Sequence, residues 1–288
     1  ESLRKGLKDA EPAFSSLEKT AKSTFKAVST AAVVAGTATA AALGAAVAKG
    51  SEFESAFAGV KKTVNATDAQ LQEMRDDIRQ MATEMPKTAA GLSEIAESAG
   101  QLGIQTDNIT LFTKTMADME VATNLTSDEA ATDFAKFANI TNMSQKYFDR
   151  LGSSVVALGN NMATTESDTV AMGMRIAAAG TQVKLSQADI MAYAASLSSV
   201  GIEAEAGGSA FSKLLVNMQL AAETGKGLSG YAKAAGMSGQ EFQTAFKNSP
   251  TTAINAFLAG LNDTERNGKS AIAVLNDMGI KETRLRDT

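Results

Sequence analysis

From residue 51 onward, apolar side chains recur at offsets of three and four, the spacing that lays them along one face of an α-helix. Leu71, Met74, Ile78, Met81 and Met85 form the first stripe, opened by Thr67 and Gln70 at capping-box spacing and ended by Pro86. Leu92, Ile95 and Ala99 form a second, running to Gly100, and a third, begun at Thr106 or Asp107, carries Ile109, Phe112, Met116 and Met119. Thr126-Ser127-Asp128-Glu129 caps a helix bearing Phe134 and Phe137. Ser144 caps the next, with Tyr147, Phe148, Leu151, Val155 and Leu158 inward as far as Gly159-Asn160-Asn161. Thr165 with Asp168 and Ser186 with Asp189 open two more helices, the second carrying Ile190, Ala194 and Leu197. Phe211, Leu214, Leu215 and Met218 mark another. Ser238-Gly239-Gln240-Glu241 is a full capping box, and Pro250 stands near the start of the stripe Ile254, Phe257, Leu258 and Leu261. Ile272, Leu275 and Met278 close the series before Gly279.

No segment shows the period-two alternation of a strand. The stripes are short, and no heptad persists long enough for a coiled coil. One unbroken helix of this length would reach about 430 Å at about 1.5 Å per residue. The Gly, Asn and Pro breaks forbid that. The pattern predicts an all-α fold, a compact array of short amphipathic helices.

The N-terminal side reads differently. Residues 1–26 mix six basic and four acidic side chains with Leu7, Phe14, Leu17 and Phe25, and are expected to be a charged helical segment. Residues 27–50 are Ala/Gly-rich, and 27–48 carry no charge, a stretch long enough to span a bilayer as a helix. Its large apolar residues are few (Val28, Val33, Val34, Leu43 and Val47), which favours a buried packing helix over insertion in lipid. Its small-xxx-small spacings, Ala38/Ala42 and Gly44/Ala48, suit close helix contact in either setting. The core region is expected over 51–288. Both ends read as cuts in a longer chain, since the sequence opens on Glu1 and stops just after a charged stretch of helical character.

Within the core there is an echo between 99–137 and 179–213. Leu125, Phe134 and Lys136 recur as Ile202, Phe211 and Lys213, each 77 positions later. A duplicated helical unit and chance matching among Ala-rich helices both account for it.

Composition agrees with the helical pattern. Good helix formers dominate, Trp is absent, aromatics are 5%, and there are three prolines. The net charge of −5, with no basic run, argues against sequence-independent binding to phosphate backbones. The absence of Cys and His removes thiol chemistry, disulfides, zinc sites built on those residues and imidazole catalysis.

The order of several segments resembles the core region of phage tail tape-measure proteins, of the type common in long-tailed phages of Gram-positive hosts. The carrying segments are Phe53-Glu54-Ser55-Ala56-Phe57, Ala96-Glu97-Ser98-Ala99-Gly100-Gln101-Leu102-Gly103-Ile104 and Phe112-Thr113-Lys114-Thr115-Met116-Ala117-Asp118-Met119. Ala122 to Ala131, Phe134-Ala135-Lys136-Phe137, Leu151 to Asn161, Gly207-Gly208-Ser209-Ala210-Phe211 and Leu275 to Lys281 follow in order. The resemblance implies a virion structural protein that occupies the tail-tube lumen, sets tail length and is expelled during genome ejection. It implies the tail-tube protein, tail-assembly chaperones and sister copies as partners, the host cytoplasm as the place of assembly, and contact with the host membrane on infection. A membrane-active or pore-forming protein using residues 27–48 is the alternative.

Candidate chemistry is thin, and no catalytic, cofactor-binding or metal site is expected. Gly225-Lys226-Gly227-Leu228-Ser229-Gly230 fits G-x-G-x-x-G, but a helix precedes it where the dinucleotide fingerprint needs a strand, so an interhelical turn is expected. Asp76-Asp77 and Glu203/Glu205 are read as solvated surface, because paired acids need a shared cleft. The thirteen methionines fall mostly on helix faces with Leu, Ile or Phe, as core residues do.

Overall fold

A computed structural model describes residues 38–268 and 270–278. The charged segment 1–26 and residues 27–37 of the Ala-rich stretch lie outside the described residues. Every regular element described is helical, with no strand. In chain order these are α1 (Ala38–Thr63), α2 (Asp68–Glu84), α3 (Ala89–Gln101), α4 (Ile109–Ala122), α5 (Ser127–Thr141), α6 (Phe148–Asn161) and α7 (Glu166–Gln182). Next come α8 (Gln187–Ser199), α9 (Ala204–Thr224), α10 (Leu228–Ala234), α11 (Gly239–Asn248), α12 (Pro250–Arg266) and α13 (Ala271–Asp277). The chain divides into two compact units, one of residues 1–139 and 143–161, the other of 140–142 and 162–288.

Helix starts are where the capping chemistry places them. Thr67 and Gln70 exchange side-chain and backbone hydrogen bonds at the head of α2, as do Ser186 and Asp189 for α8 and Ser238 and Glu241 for α11. Thr126 and Glu129 make the same reciprocal pair before α5. Each box satisfies two backbone donors that a bare helix end leaves open. The carboxyls of Glu129 and Glu241 are held below their usual range by these bonds, the backbone donors Thr126 and Ser238 contributing most. Pro250 opens α12, where its missing N–H costs nothing. Ser144 departs from expectation. It heads a 3-10 turn over Gln145–Tyr147 and makes no side-chain cap bond, and α6 begins only at Phe148.

In the first unit α1 packs along α3, and α4 packs on α3 and α6. α1 runs unbroken through Gly50 and Ser51, and Phe53, Phe57 and Val60 on it are buried. Gly100 on α3 permits the close approach, since a Cβ there would lie 2.6 Å from Thr63 Oγ1 of α1. Phe112 and Phe148 meet edge-on with centroids 4.7 Å apart, in the favoured geometry for the ring quadrupoles.

In the second unit α7 packs on α8 and α9, and α10, α11 and α12 close a separate aromatic cluster. Tyr231 lies 5.6 Å from Phe257 and 6.1 Å from Phe242, and burial pushes its phenol up to about 12. At Gly260 a Cβ would stand 1.6 Å from the Ala234 carbonyl oxygen, so α12 touches the end of α10 backbone to backbone.

One junction recurs in both units. Gly103, Asn142, Lys184, Gly201 and Gly236 all adopt positive φ at a helix end. The following apolar residue donates its backbone N–H five residues back, from Ile104 to Ala99 O at 3.0 Å, Met143 to Ala138 O at 2.9 Å and Leu185 to Gly180 O at 2.8 Å. Ile202 to Leu197 O at 3.4 Å and Met237 to Ala232 O at 2.8 Å repeat it. This is the Schellman ending, which satisfies orphan carbonyls. Six positions after Gly103, Asn142, Lys184 and Gly236 come Ile109, Phe148, Ile190 and Phe242, each fully buried.

Candidate functional site

The residue types singled out for chemistry are dispersed. Asp76 accepts from Gln72 Nε2 at 3.2 Å one turn away, on the exposed side of α2, while the adjacent Asp77 is half-buried. Glu203 stands at the head of α9, and Glu205, largely exposed, lies 3.9 Å from Arg175. Gly225 and Gly227 adopt positive φ, one ending α9 and the other starting the seven-residue α10, so the glycine run is an interhelical turn. Among the described residues no cluster of acids is arranged to hold a metal ion. Seven methionines (Met74, Met81, Met116, Met119, Met172, Met191 and Met218) are buried, and the other six are half-buried.

Two features remain. The first is polar and lies in the first unit. Lys87, in the turn between α2 and α3, is ion-paired with Glu120 of α4, and its ammonium donates to Ser127 Oγ at 3.1 Å. The hydrogen bond from Lys87, then that from Ser127, holds the Glu120 carboxyl below its usual range. This cluster ties three segments together.

The second is an apolar groove of about 540 Å³ within the second unit. Its walls come from α8 (Tyr193, Leu197) and the residue that caps its end (Val200), α9 (Phe211, Leu214), α12 (Phe257, Leu258, Leu261) and α13 (Ile272, Leu275). The stripe on α12 is wide enough to serve two surfaces. Ile254 and Phe257 are fully buried, whereas Leu258 is 36% exposed at the groove edge. Val200 is 72% and Ile272 45% exposed, so Ile272 is not the core residue that its spacing predicted. Tyr193 lies against Phe211 at 5.2 Å, and its hydroxyl donates to Asn255 Oδ1 at 2.8 Å. Burial first, then the charge of Asp189, raises the Tyr193 phenol above its usual value. Among the described residues, Glu265 is the only charged side chain in the lining.

The pattern of stripes missed this groove because it assigns each helix one inward face. Val200, beside the turn glycine Gly201 and outside every stripe, was an available signal. Among the described residues, the lining brings one carboxylate, Glu265, and no metal-ligand set, and the Ser196 hydroxyl in it donates to the Ala192 carbonyl of its own helix. Its physical capacity is to bury apolar side chains.

Among the described residues no helix is long and apolar enough to cross a membrane. Comparison with known families gives one match, to a family described as phage-related minor tail protein, over residues 75–285. No curated protein and no solved structure matches the chain.

Proposed function

The chain belongs to the phage-related minor tail protein family, and from that premise we propose that it is the helical core region of a tape-measure protein. Family membership makes it a phage tail protein with a structural role in the virion. The finer reading supplies the rest. The segment enters the tail-tube lumen as part of a longer protein, meets the tail-tube protein, tail-assembly chaperones and sister copies in turn, and leaves ahead of the genome. One observation carries this reading: the run of ordered segments from Phe53 to Lys281 falls largely within the span matched to the tail family.

The architecture separates two jobs. A rod that measures must be extended, at about 1.5 Å per residue if helical. Helices of seven to twenty-six residues that pack on one another cannot extend in that way. The segment is therefore a compact body joined to the ruler, and the rod lies elsewhere in the parent protein. In-frame deletions in that rod are expected to shorten the tail by about 1.5 Å per residue removed, read by electron microscopy. Tails of constant length across the deletion series would end the proposal.

The repeat between 99–137 and 179–213 belongs to the same proposal. The junction at Asn142 lies between those at Gly103 and Lys184, which supports a unit of about 40 residues, one helix pair per unit. The charge-free stretch 27–48 supports a second role, contact with lipid during ejection. Liposome flotation tests it, with Val34→Asp/Leu43→Asp expected to abolish binding.

A further inference from the structure

Successive heads of the helical array are tied to one another by single side chains, and those side chains stand at one position of the repeat. Thr106, Gln145 and Gln187 follow the left-handed junction residues Gly103, Asn142 and Lys184 by three places. Each is the first residue of the helix or 3-10 turn that comes next. Each donates to a backbone carbonyl at the preceding head. In the first unit the Thr106 hydroxyl donates to Asn65 O, just past the end of α1, at 3.0 Å. Gln145 Nε2 donates to Gly103 O at 3.4 Å, and its Oε1 accepts from the Gln105 amide at 2.7 Å. In the second unit Gln187 Nε2 donates to Thr141 O at 3.2 Å. Donor and acceptor carbonyl are 41, 42 and 46 residues apart in the chain, close to one repeat each time. Gly201 and Gly236 are followed at the same place by Ala204 and Gly239, which have no side-chain donor, so the series stops there.

The turns inside the helix pairs are joined in a similar way. Lys87 donates to Ser127 Oγ, 40 residues on, and the Thr164 and Ser198 hydroxyls, 34 residues apart, share a hydrogen bond of 2.6 Å. In a repeat array each unit touches its neighbours, and stability is a sum of what each unit holds alone and what each contact between neighbours adds. A single neutral hydrogen bond shifts an opening equilibrium by about two- to tenfold. A head held by one or two such bonds yields before the helices that it joins.

We propose that Thr106, Gln145 and Gln187 are latches, and that under tension the chain opens at them one helix pair at a time. Each opening releases about 40 residues, or about 140 Å of extended chain. Such opening requires the 40-residue unit proposed above, whichever part of the tail the chain serves.

The full 288-residue chain, held by handles at its two ends, is stretched in an optical trap. Extension is expected in steps of about 40 residues. Gln145→Ala is expected to leave the other steps in place and to lower the force of one, with its opening rate at zero load raised about two- to tenfold. Steps of that length at unchanged force in Gln145→Ala would overturn the latches and leave the repeat unit standing. One rip through each compact unit would overturn both. The Gln105 amide supplies a readout without load, because its acceptor is Gln145 Oε1. Its hydrogen exchange is expected to be slow in the parent chain and in Gln145→Glu, which keeps an acceptor at that place. In Gln145→Ala it is expected to be about two- to tenfold faster, while the Ile104 amide, bonded to Ala99 O at 3.0 Å, keeps its protection. Equal exchange at Gln105 in all three chains would refute the latch. So would loss of protection at Ile104 together with Gln105, which would make Gln145 a packing residue of the junction.

Discussion

The two units are built from the same kind of helix and finished differently. In the first, charged side chains close the surface over the apolar interior. Arg75 pairs with Glu54 and lies 5.5 Å from the Phe53 ring, Arg79 lies 5.4 Å from that ring, and Lys87 pairs with Glu120. In the second, Arg175 and Glu205 stand 3.9 Å apart. Large apolar side chains there remain in water: Ile140, Val200, Val216, Leu220, Leu258 and Ile272, against Val121 in the first unit, among the described residues. Both units have bulky aromatic anchors, so the contrast is not one of core strength. It is one of completion, since the first unit covers its own apolar edge and the second leaves an apolar groove.

The contrast can be attacked first where the effects are largest. Phe112→Ala in the first unit removes a fully buried ring from a closed site and is expected to cost about 3–5 kcal/mol in denaturant unfolding. Phe257→Ala in the second is equally buried but borders the groove, so relaxation into it should hold the loss near the lower end of that range. Equal losses would mean that the groove gives no freedom to its wall.

Gly260→Ala comes next. Its methyl collides with the backbone of Ala234, and overpacking of this kind costs about 1–3 kcal/mol. Hydrogen exchange should report the loss in α10–α12 while α1–α4 keep their protection. Exchange that rises equally in both units would show that they unfold together.

Smaller again is Lys184→Gly, which relieves a left-handed backbone on a residue with a Cβ and is expected to stabilise by about 0.5–1 kcal/mol. Asn142→Gly should gain less, because Asn tolerates that conformation better. Thermal melts of the two variants decide the order.

The smallest effect is the Lys87–Glu120 pair, which is partly exposed and worth less than about 1 kcal/mol. The folded Glu120 carboxyl lies below its ordinary value of 4.5, so its contribution is complete above that pH and is lost as the pH falls below it. Glu120→Gln should therefore destabilise slightly at pH 7, by an amount that shrinks as the pH is lowered below 4.5. A difference that persists in acid would assign the effect to packing.

Much of the fold was legible because helices announce themselves locally. Thr67/Gln70, Ser186/Asp189, Ser238/Glu241, Pro250 and the apolar offsets of three and four are short-range signals, and each marks an element that is there. Ser144 failed as a cap because a hydroxyl satisfies a helix only when the backbone beyond it is α, and here a 3-10 turn intervenes. Lys184 hid a left-handed junction that a glycine would have advertised. The groove was out of reach for a different reason. Ile272, Leu258 and Tyr193 look like core residues in any helical wheel, and only the packing of four helices determines which faces are covered.

The sequence by itself therefore determined the helical class, most helix starts and stops, and the absence of Cys and His from any chemistry the chain performs. Those follow from hydrogen bonds and side-chain periods that act within a few residues. Tertiary structure alone decided the division at residue 161, the backbone contact at Gly260 and the unfilled groove of the second unit. Each of these depends on the fit of surfaces distant in sequence, and a fit of that kind leaves no local period to read.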